Sequence, residues 1–189
     1  MLIRLHAFEV ASRANGPGLR AVVWFQGCPL KCPGCFNPET HDPRGGSEAD
    51  TVELAAELLR NPHAIEGVSF SGGEPFQQPE GLLGLLERLA GSGLSTLVFS
   101  GYNLGEIERQ ALGPRLLERI DVLIAGRYVQ AQHLGSGLLG SANQKIHLLS
   151  RRYKLKDFAT IPRQEIILHR DGSITLTGIT SSGLGLRCG

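Results

Sequence analysis

The stretch Ala21-Val22-Val23-Trp24-Phe25-Gln26-Gly27-Cys28-Pro29-Leu30-Lys31-Cys32-Pro33-Gly34-Cys35 joins a short apolar run to a loop that carries three cysteines. The run Ala21–Phe25 reads as a buried strand. The loop that follows spaces its cysteines as C-x3-C-x2-C. Three closely spaced thiolates suit an iron–sulfur cluster, which usually takes four cysteines. The only other cysteine, Cys188, lies near the far end of the chain. A cluster held by three protein ligands keeps one iron open, and an open metal position is where chemistry takes place. Zinc is the alternative, because His41 would complete a Cys3His set with Cys28, Cys32 and Cys35. The spacing is unusual for a zinc knuckle, and a simple ferredoxin would need a fourth thiolate nearby.

Outward from that loop the pattern repeats strand, turn, helix. Asp50 is placed to cap a helix in a capping-box layout with Glu53, and Val52, Ala55, Ala56 and Leu59 mark its expected apolar face. Gly67–Phe70 is the next strand, and it ends in Ser71-Gly72-Gly73-Glu74-Pro75. Pro79 opens a second helix whose stripe is Leu82, Leu85, Leu86 and Leu89, and Gly91 and Gly93 stop it. Ser95–Phe99 is a third strand, Asn103 caps a helix bearing Leu104, Ile107 and Ala111, and Asp121–Ala125 is a fourth strand. Strands alternating with helices imply parallel βαβ units, an α/β fold. Ligands in such folds sit at the C-terminal ends of the strands, so the cysteine loop and the Gly-Gly-Glu turn are expected on the same side. The tail differs: Glu165–Arg170 and Ser173–Thr177 flank Asp171-Gly172, a strong hairpin pattern. Thr180–Gly189, rich in Gly and Ser, is expected to be loose.

The bulk properties exclude several classes. A length of 189 residues favours one domain, and 41% hydrophobic with 20% charged residues is an ordinary soluble composition. A net charge of +1 gives no broad electrostatic case for nucleic acid or an anionic membrane. No stretch has the apolar length of a transmembrane helix, and the N-terminus lacks the features of a signal peptide. A clustered cysteine trio does not resemble a secreted disulfide framework, so a reducing cytoplasm is the expected location.

In Ser71-Gly72-Gly73-Glu74-Pro75, glycine permits close backbone approach to a ligand. A carboxylate and free carbonyls at such a turn accept hydrogen bonds from an ammonium group. Beside an open iron, that combination suits an amino-acid-like ligand bound through its amine. Taken with C-x3-C-x2-C, the turn resembles the radical S-adenosylmethionine superfamily. Within that superfamily the chain is similar to the activating proteins of glycyl-radical enzymes, above all the anaerobic ribonucleoside-triphosphate reductase type. The matching pieces are Asn15–Arg20 (NGPGLR), Gly27-Cys28, Cys32–Asn37 (CPGCFN), Ser71–Pro75, Ser100-Gly101-Tyr102, Asp121–Ile124 and Gly140–Gln144 (GSANQ), over about residues 10 to 150. Pro33-Gly34 before the third cysteine fits the subgroup, whereas Ala125-Gly126 stands where the subgroup often has Asp-Gly.

The resemblance implies an incomplete (β/α) barrel over residues 1–150, followed by an extension over 151–189 with the β-hairpin. It implies that Cys28, Cys32 and Cys35 bind three irons of a [4Fe–4S] cluster and that S-adenosylmethionine chelates the fourth. Gly72, Gly73 and Glu74 would hold the methionine amine, with Ser71 in the same turn. Phe36 and Asn37 would frame the adenosyl part, and Ser100 and Tyr102 belong to the same pocket. The implied reaction is reductive cleavage of S-adenosylmethionine to methionine and a 5′-deoxyadenosyl radical. That radical takes a hydrogen atom from a glycine of a partner of the anaerobic ribonucleotide reductase or pyruvate formate-lyase type. A flavodoxin or ferredoxin-type donor would supply the electron. No general acid or base is required. Two other readings stand beside it: radical chemistry on a small molecule such as a carboxy-deazaguanine precursor, and a non-catalytic iron–sulfur or zinc module. Arg20 and Arg127 are read either as meeting a carboxylate or a partner or as solvated or structural salt-bridging residues, Asp121 as a turn or pocket residue, and Arg151–Lys156 as a solvated basic face.

Overall fold

A computed structural model describes residues 1–179; Cys188 and the Thr180–Gly189 tail lie outside the described residues. In chain order the elements are β1 (Leu2–Ser12), β2 (Arg20–Phe25), β3 (Ser47–Asp50), α1 (Thr51–Leu58), β4 (Gly67–Gly72), α2 (Pro79–Leu89) and β5 (Ser95–Ser100). There follow α3 (Leu104–Glu108), α4 (Gly113–Leu117), β6 (Val122–Ala125), β7 (His133–Ser136), β8 (Leu139–Ser141), β9 (Lys145–Leu148), β10 (Gln164–Leu168) and β11 (Ile174–Gly178). Seven strands form one sheet in the order β3-β1-β2-β4-β5-β6-β9. Its centre, β2-β4-β5-β6, is parallel, and β1, β3 and β9 are antiparallel to their neighbours. Among the described residues the sheet runs from edge to edge without closing, as an α/β fold of the incomplete-barrel kind requires. β10 and β11 pair only with each other, around the expected Asp171-Gly172 turn.

The parallel strands are apolar at their centres, where both faces are covered, and carry polar residues such as Arg20, Ser71, Ser95 and Ser100 toward their ends. Successive side chains alternate, so each strand serves two layers. Val23, Phe25, Val68, Phe70, Val98 and Leu123 pack with Leu54 and Leu58 of α1, Leu82, Leu85, Leu86 and Leu89 of α2, and Ile107 and Leu116 beyond them. Leu97, Val122 and Ile124 face the other way, against Leu138, Tyr153 and Phe158. The helices therefore cover one face. On the other face, residues from 138 onward cover only part of the strands and leave a cavity.

Two local expectations shift. Asp50 caps α1, but its carboxylate accepts from Val52 N at 2.7 Å and from the N-terminal ammonium at 2.9 Å. The buried face is Thr51, Leu54, Ala55 and Leu58, while Val52 is 51% exposed. The expected stripe of Val52, Ala55, Ala56 and Leu59 is thus rotated by about one residue, because the hydroxyl-bearing Thr51 takes the inward position. Asn103 caps α3 through a complete capping box with Glu106, yet the helix is only five residues long. Gly113 and Pro114 then start a separate turn, α4.

Arg20 is wholly buried at the start of β2. Its guanidinium donates to Ser69 Oγ, Ser95 Oγ, Tyr153 Oη and the carbonyls of Pro17, Val68 and Ser95. Its counter-charge is reached indirectly, since Tyr153 Oη donates to Glu66 Oε1 at 2.9 Å. Burial pulls the Arg20 pKa below its usual value, and the neighbouring Tyr153 and Glu66 offset part of that cost. The network ties the loop before β2 to three strands and to Tyr153. Asp121 accepts from Thr96 N and Ser150 Oγ and so joins β5 to the end of β9. Arg127 pairs with Glu106 at 2.9 Å and lies over the Tyr102 ring.

Candidate functional site

The cysteine loop leaves the C-terminal end of β2, and the Gly-Gly-Glu turn leaves the C-terminal end of β4. These strands are parallel neighbours, with Trp24 opposite Ser71 and Phe25 opposite Gly72. The ladder continues past the strands: Gly73 N donates to Phe25 O at 2.8 Å and Glu74 N to Gly27 O at 2.9 Å. At Gly73 a Cβ would lie 2.4 Å from Gly27 O, so only glycine permits this approach. Gly72 has φ +96°, which a side chain would strain. The two motifs are thereby fixed against each other through backbone.

The loop itself is pinned at its return. Gly27 N donates to Thr40 O, Cys28 N to His41 O, and the buried Gln26 amide to the carbonyls of Glu39 and Asp42. Inside it, Cys35 N donates to Cys32 O, and Lys31 adopts φ +44°. None of the three cysteines is in a disulfide. Burial raises the pKa of Cys28 and of Cys35, and neighbouring negative groups add to it. Opposing this, the backbone N–H groups of Leu30 and Lys31 near Cys28 and of Asn37 near Cys35 favour the thiolate. Such N–H to sulfur contacts stabilise thiolates and tune iron–sulfur clusters. Among the described residues no three or more His, Cys, Asp or Glu side chains gather around a single point as ligands of one metal ion, the three cysteines included. A cluster makes a different demand, because each cysteine binds its own iron.

Cys28, Cys32 and Cys35 border a cavity of about 210 Å³ together with Phe36, Asn37, Ser71, Gly72, Gly73, Glu74 and Ser100. Tyr102 does not line it; its hydroxyl accepts from Gln77 Nε2 and its backbone N–H donates to Ser100 Oγ. Glu74 is completely buried. Its Oε1 accepts from Ser100 Oγ at 2.9 Å and Phe76 N at 3.1 Å, and its Oε2 from Gly101 N at 2.7 Å. Burial nevertheless outweighs these donors and raises the Glu74 carboxyl to about 7. Ionised, it would be a desolvated negative charge, and a cation in the cavity would compensate it. Oε1 already accepts from two donors, whereas Oε2 accepts from one and has a lone pair to spare for an ammonium group.

Several lining residues were not anticipated. Trp24 and Phe99 project from β2 and β5 on the face away from the helices. Phe36 packs on Tyr128 at 4.7 Å between ring centroids and on His133 at 5.6 Å. Gln144, within the GSANQ piece, accepts from Gly140 N and donates to Gly126 O, bridging two turns of the rim. Asn15, Leu138 and residues 175–179 complete the wall. Asn15, Trp24, Phe99 and Gln144 lie within stretches already singled out, whereas Leu138 and residues 175–179 are distant along the chain.

Residues 14–147 match the 4Fe-4S single cluster domain family. The pyruvate formate-lyase-activating enzyme of Clostridium pasteurianum is 41% identical over 110 residues, 56% of this chain and 46% of that protein. The chain therefore spans about half the length of that relative. The anaerobic ribonucleoside-triphosphate reductase-activating protein of Salmonella typhimurium is 30% identical over 158 residues, 78% of this chain and 99% of that protein. Its Escherichia coli K12 counterpart is 30% identical over 152 residues, 76% of this chain and 97% of that protein. The crystal structure of QueE from Escherichia coli aligns with a TM-score of 0.45 at 20% identity over 53% of each chain. The chain belongs to the 4Fe-4S single cluster domain family, and with it to the radical S-adenosylmethionine type of activating protein.

Proposed function

We propose that this chain is an activating enzyme that uses a [4Fe–4S] cluster and S-adenosylmethionine to place a radical on a glycine of a partner protein, of the anaerobic ribonucleotide reductase or pyruvate formate-lyase type. The observation that carries this is the backbone clamp between the cysteine loop and the Gly72-Gly73-Glu74 turn, with both opening on one cavity. Cys28, Cys32 and Cys35 would hold the cluster, with backbone N–H groups near two of the sulfurs that favour the thiolate. When bound, the cluster and S-adenosylmethionine supply one-electron cleavage of a carbon–sulfur bond and a primary carbon radical able to abstract hydrogen.

This chain's residues bind, orient and exclude water. The Gly72-Gly73 carbonyls and the Glu74 carboxylate would take the substrate ammonium. Ser71 and Ser100 hold that turn, and Phe36 with Asn37 would border the nucleoside part; Tyr102 would act from behind through Ser100. Cys32 is partly exposed, and Pro29, Lys31, Pro33 and Gly34 beside it are exposed, so a flavodoxin or ferredoxin-type donor can approach the cluster from the loop's outer side. Residues 1–150 form the catalytic core in this reading, 151–189 are an extension, and a reducing cytoplasm is the setting. No helix among the described residues is long and apolar enough to cross a membrane.

The test is electron paramagnetic resonance of the anaerobically reconstituted, reduced protein. Addition of S-adenosylmethionine should change the cluster signal. Subsequent addition of anaerobic ribonucleotide reductase or pyruvate formate-lyase should give a glycyl doublet. A cluster signal indifferent to S-adenosylmethionine contradicts the proposal.

A further inference from the structure

The β10–β11 hairpin lies beyond the family match, which ends at residue 147. Thr175, Leu176, Thr177, Gly178 and Ile179 nevertheless form one wall of the cavity whose other wall carries the cysteines. The hairpin pairs with no strand of the main sheet. A two-stranded hairpin is marginal by itself, so its position depends on what clasps it. Beside the buried Leu176, a polar clasp centred on one carboxylate ties the hairpin to the loop after β1. Glu165 Oε2 accepts from Ser12 Oγ at 2.8 Å and from Arg13 N at 2.7 Å. Asn15 Nδ2 donates to Thr177 Oγ1 at 2.6 Å, and His169 lies 3.4 Å from Glu9. The base of the hairpin is closed by Ile179 N donating to Arg163 O.

The charge of the cavity narrows what can enter past this wall. Among its described lining residues there is no Lys, Arg or Asp; Glu74 at the cysteine end is the one carboxylate, and His6 of β1 is the one imidazole. The hairpin end offers amide, hydroxyl and apolar groups: Asn15, Thr175, Thr177, Leu176, Ile179 and Trp24. Such a surface suits a neutral chain of amide bonds and gives a carboxylate or phosphate no lysine or arginine to pair with. We infer that the β10–β11 hairpin is a hinged wall, latched by Glu165, which lifts to admit an uncharged polypeptide segment to the end of the cavity opposite the cluster. This rests on the proposed function for the identity of the substrate, while the hinge is testable without it.

Trp24 is the only tryptophan and lines the cavity, so its fluorescence reports on access. The probe is acrylamide, a small neutral amide, with iodide as the charged comparison, on the anaerobically reconstituted full chain. Glu165→Ala should raise the acrylamide quenching constant about twofold or more, with iron content and far-ultraviolet circular dichroism unchanged. Glu165→Gln retains an acceptor and should stay near wild type. The acrylamide gain should exceed the iodide gain. If Glu165→Ala misfolds, Thr177→Val weakens the same clasp and should give the same change. Unchanged quenching in a folded clasp variant overturns the hinge. Iodide gaining as much as acrylamide overturns the neutral occupant and favours an anionic small molecule. A quenching result as expected in a protein that never cleaves S-adenosylmethionine leaves the hinge standing and defeats the proposed function instead.

Discussion

The two faces of the central sheet are made by the same strands and behave differently. Toward the helices, Val23, Phe70 and Val98 join an unbroken leucine-rich layer in which α2 alone places five leucines out of solvent. On the other face, their neighbours Trp24, Ser71 and Phe99 look into a cavity rimmed by glycine turns and thiols. One face spends its side chains on packing and the other leaves room for something else. The difference lies in what covers each face: continuous helices on one, an interrupted cover after residue 138 on the other.

Substitutions can break this contrast. The largest effect belongs to Cys32→Ala, which should abolish bound iron and all S-adenosylmethionine cleavage while unfolding stays close to that of the wild-type apoprotein; iron and sulfide analysis with thermal melts checks it. Leu85→Ala, on the packed face, should do the reverse. It should cost about 2–5 kcal/mol of stability and leave activity per bound cluster unchanged, as measured by denaturant titration. Gly73→Ala sits between the two. Its Cβ has to push Gly27 away, so about 1–3 kcal/mol and most of the reconstituted cluster should be lost together.

The Glu74 carboxyl sharpens the contrast through pH. Its folded value of about 7 lies above the ordinary 4.5, so folding favours the protonated form. The stability this contributes is fully present below about pH 4.5 and is lost as pH rises through about 7. Unfolding midpoints of the apoprotein should therefore fall between pH 5 and 8 relative to Glu74→Gln, whose side chain cannot ionise. Arg127→Ala should have the smallest effect, below about 1 kcal/mol, because its pair with Glu106 is exposed.

Much of the packed face was legible from the chain alone. The runs of β2, β4, β5 and β6 and the stripe of α2 carry their periodicity openly, and Asp171-Gly172 marked the hairpin. The resemblance drawn over about residues 10 to 150 agrees with the family match over 14–147. β1 escaped notice because its alternation is broken by register shifts between Leu5 and Ala7 and between Glu9 and Ser12. β3 escaped because Ser47-Glu48-Ala49-Asp50 is a polar edge strand. The cysteine loop and the Gly-Gly-Glu turn were legible as motifs, and their placement on one side followed from the βαβ rule. The opposite wall was not, since Asn15 and Thr177 meet across 162 residues and no local pattern announces that contact.

The central claim is that the cavity between the cysteine loop and the Gly-Gly-Glu turn binds S-adenosylmethionine beside a reduced cluster. The most direct measurement is 5′-deoxyadenosine formed by the anaerobically reconstituted protein with an excess of reductant. Formation that depends on Cys28, Cys32 and Cys35 together is the predicted result. A fully loaded, fully reduced protein that yields none would contradict it.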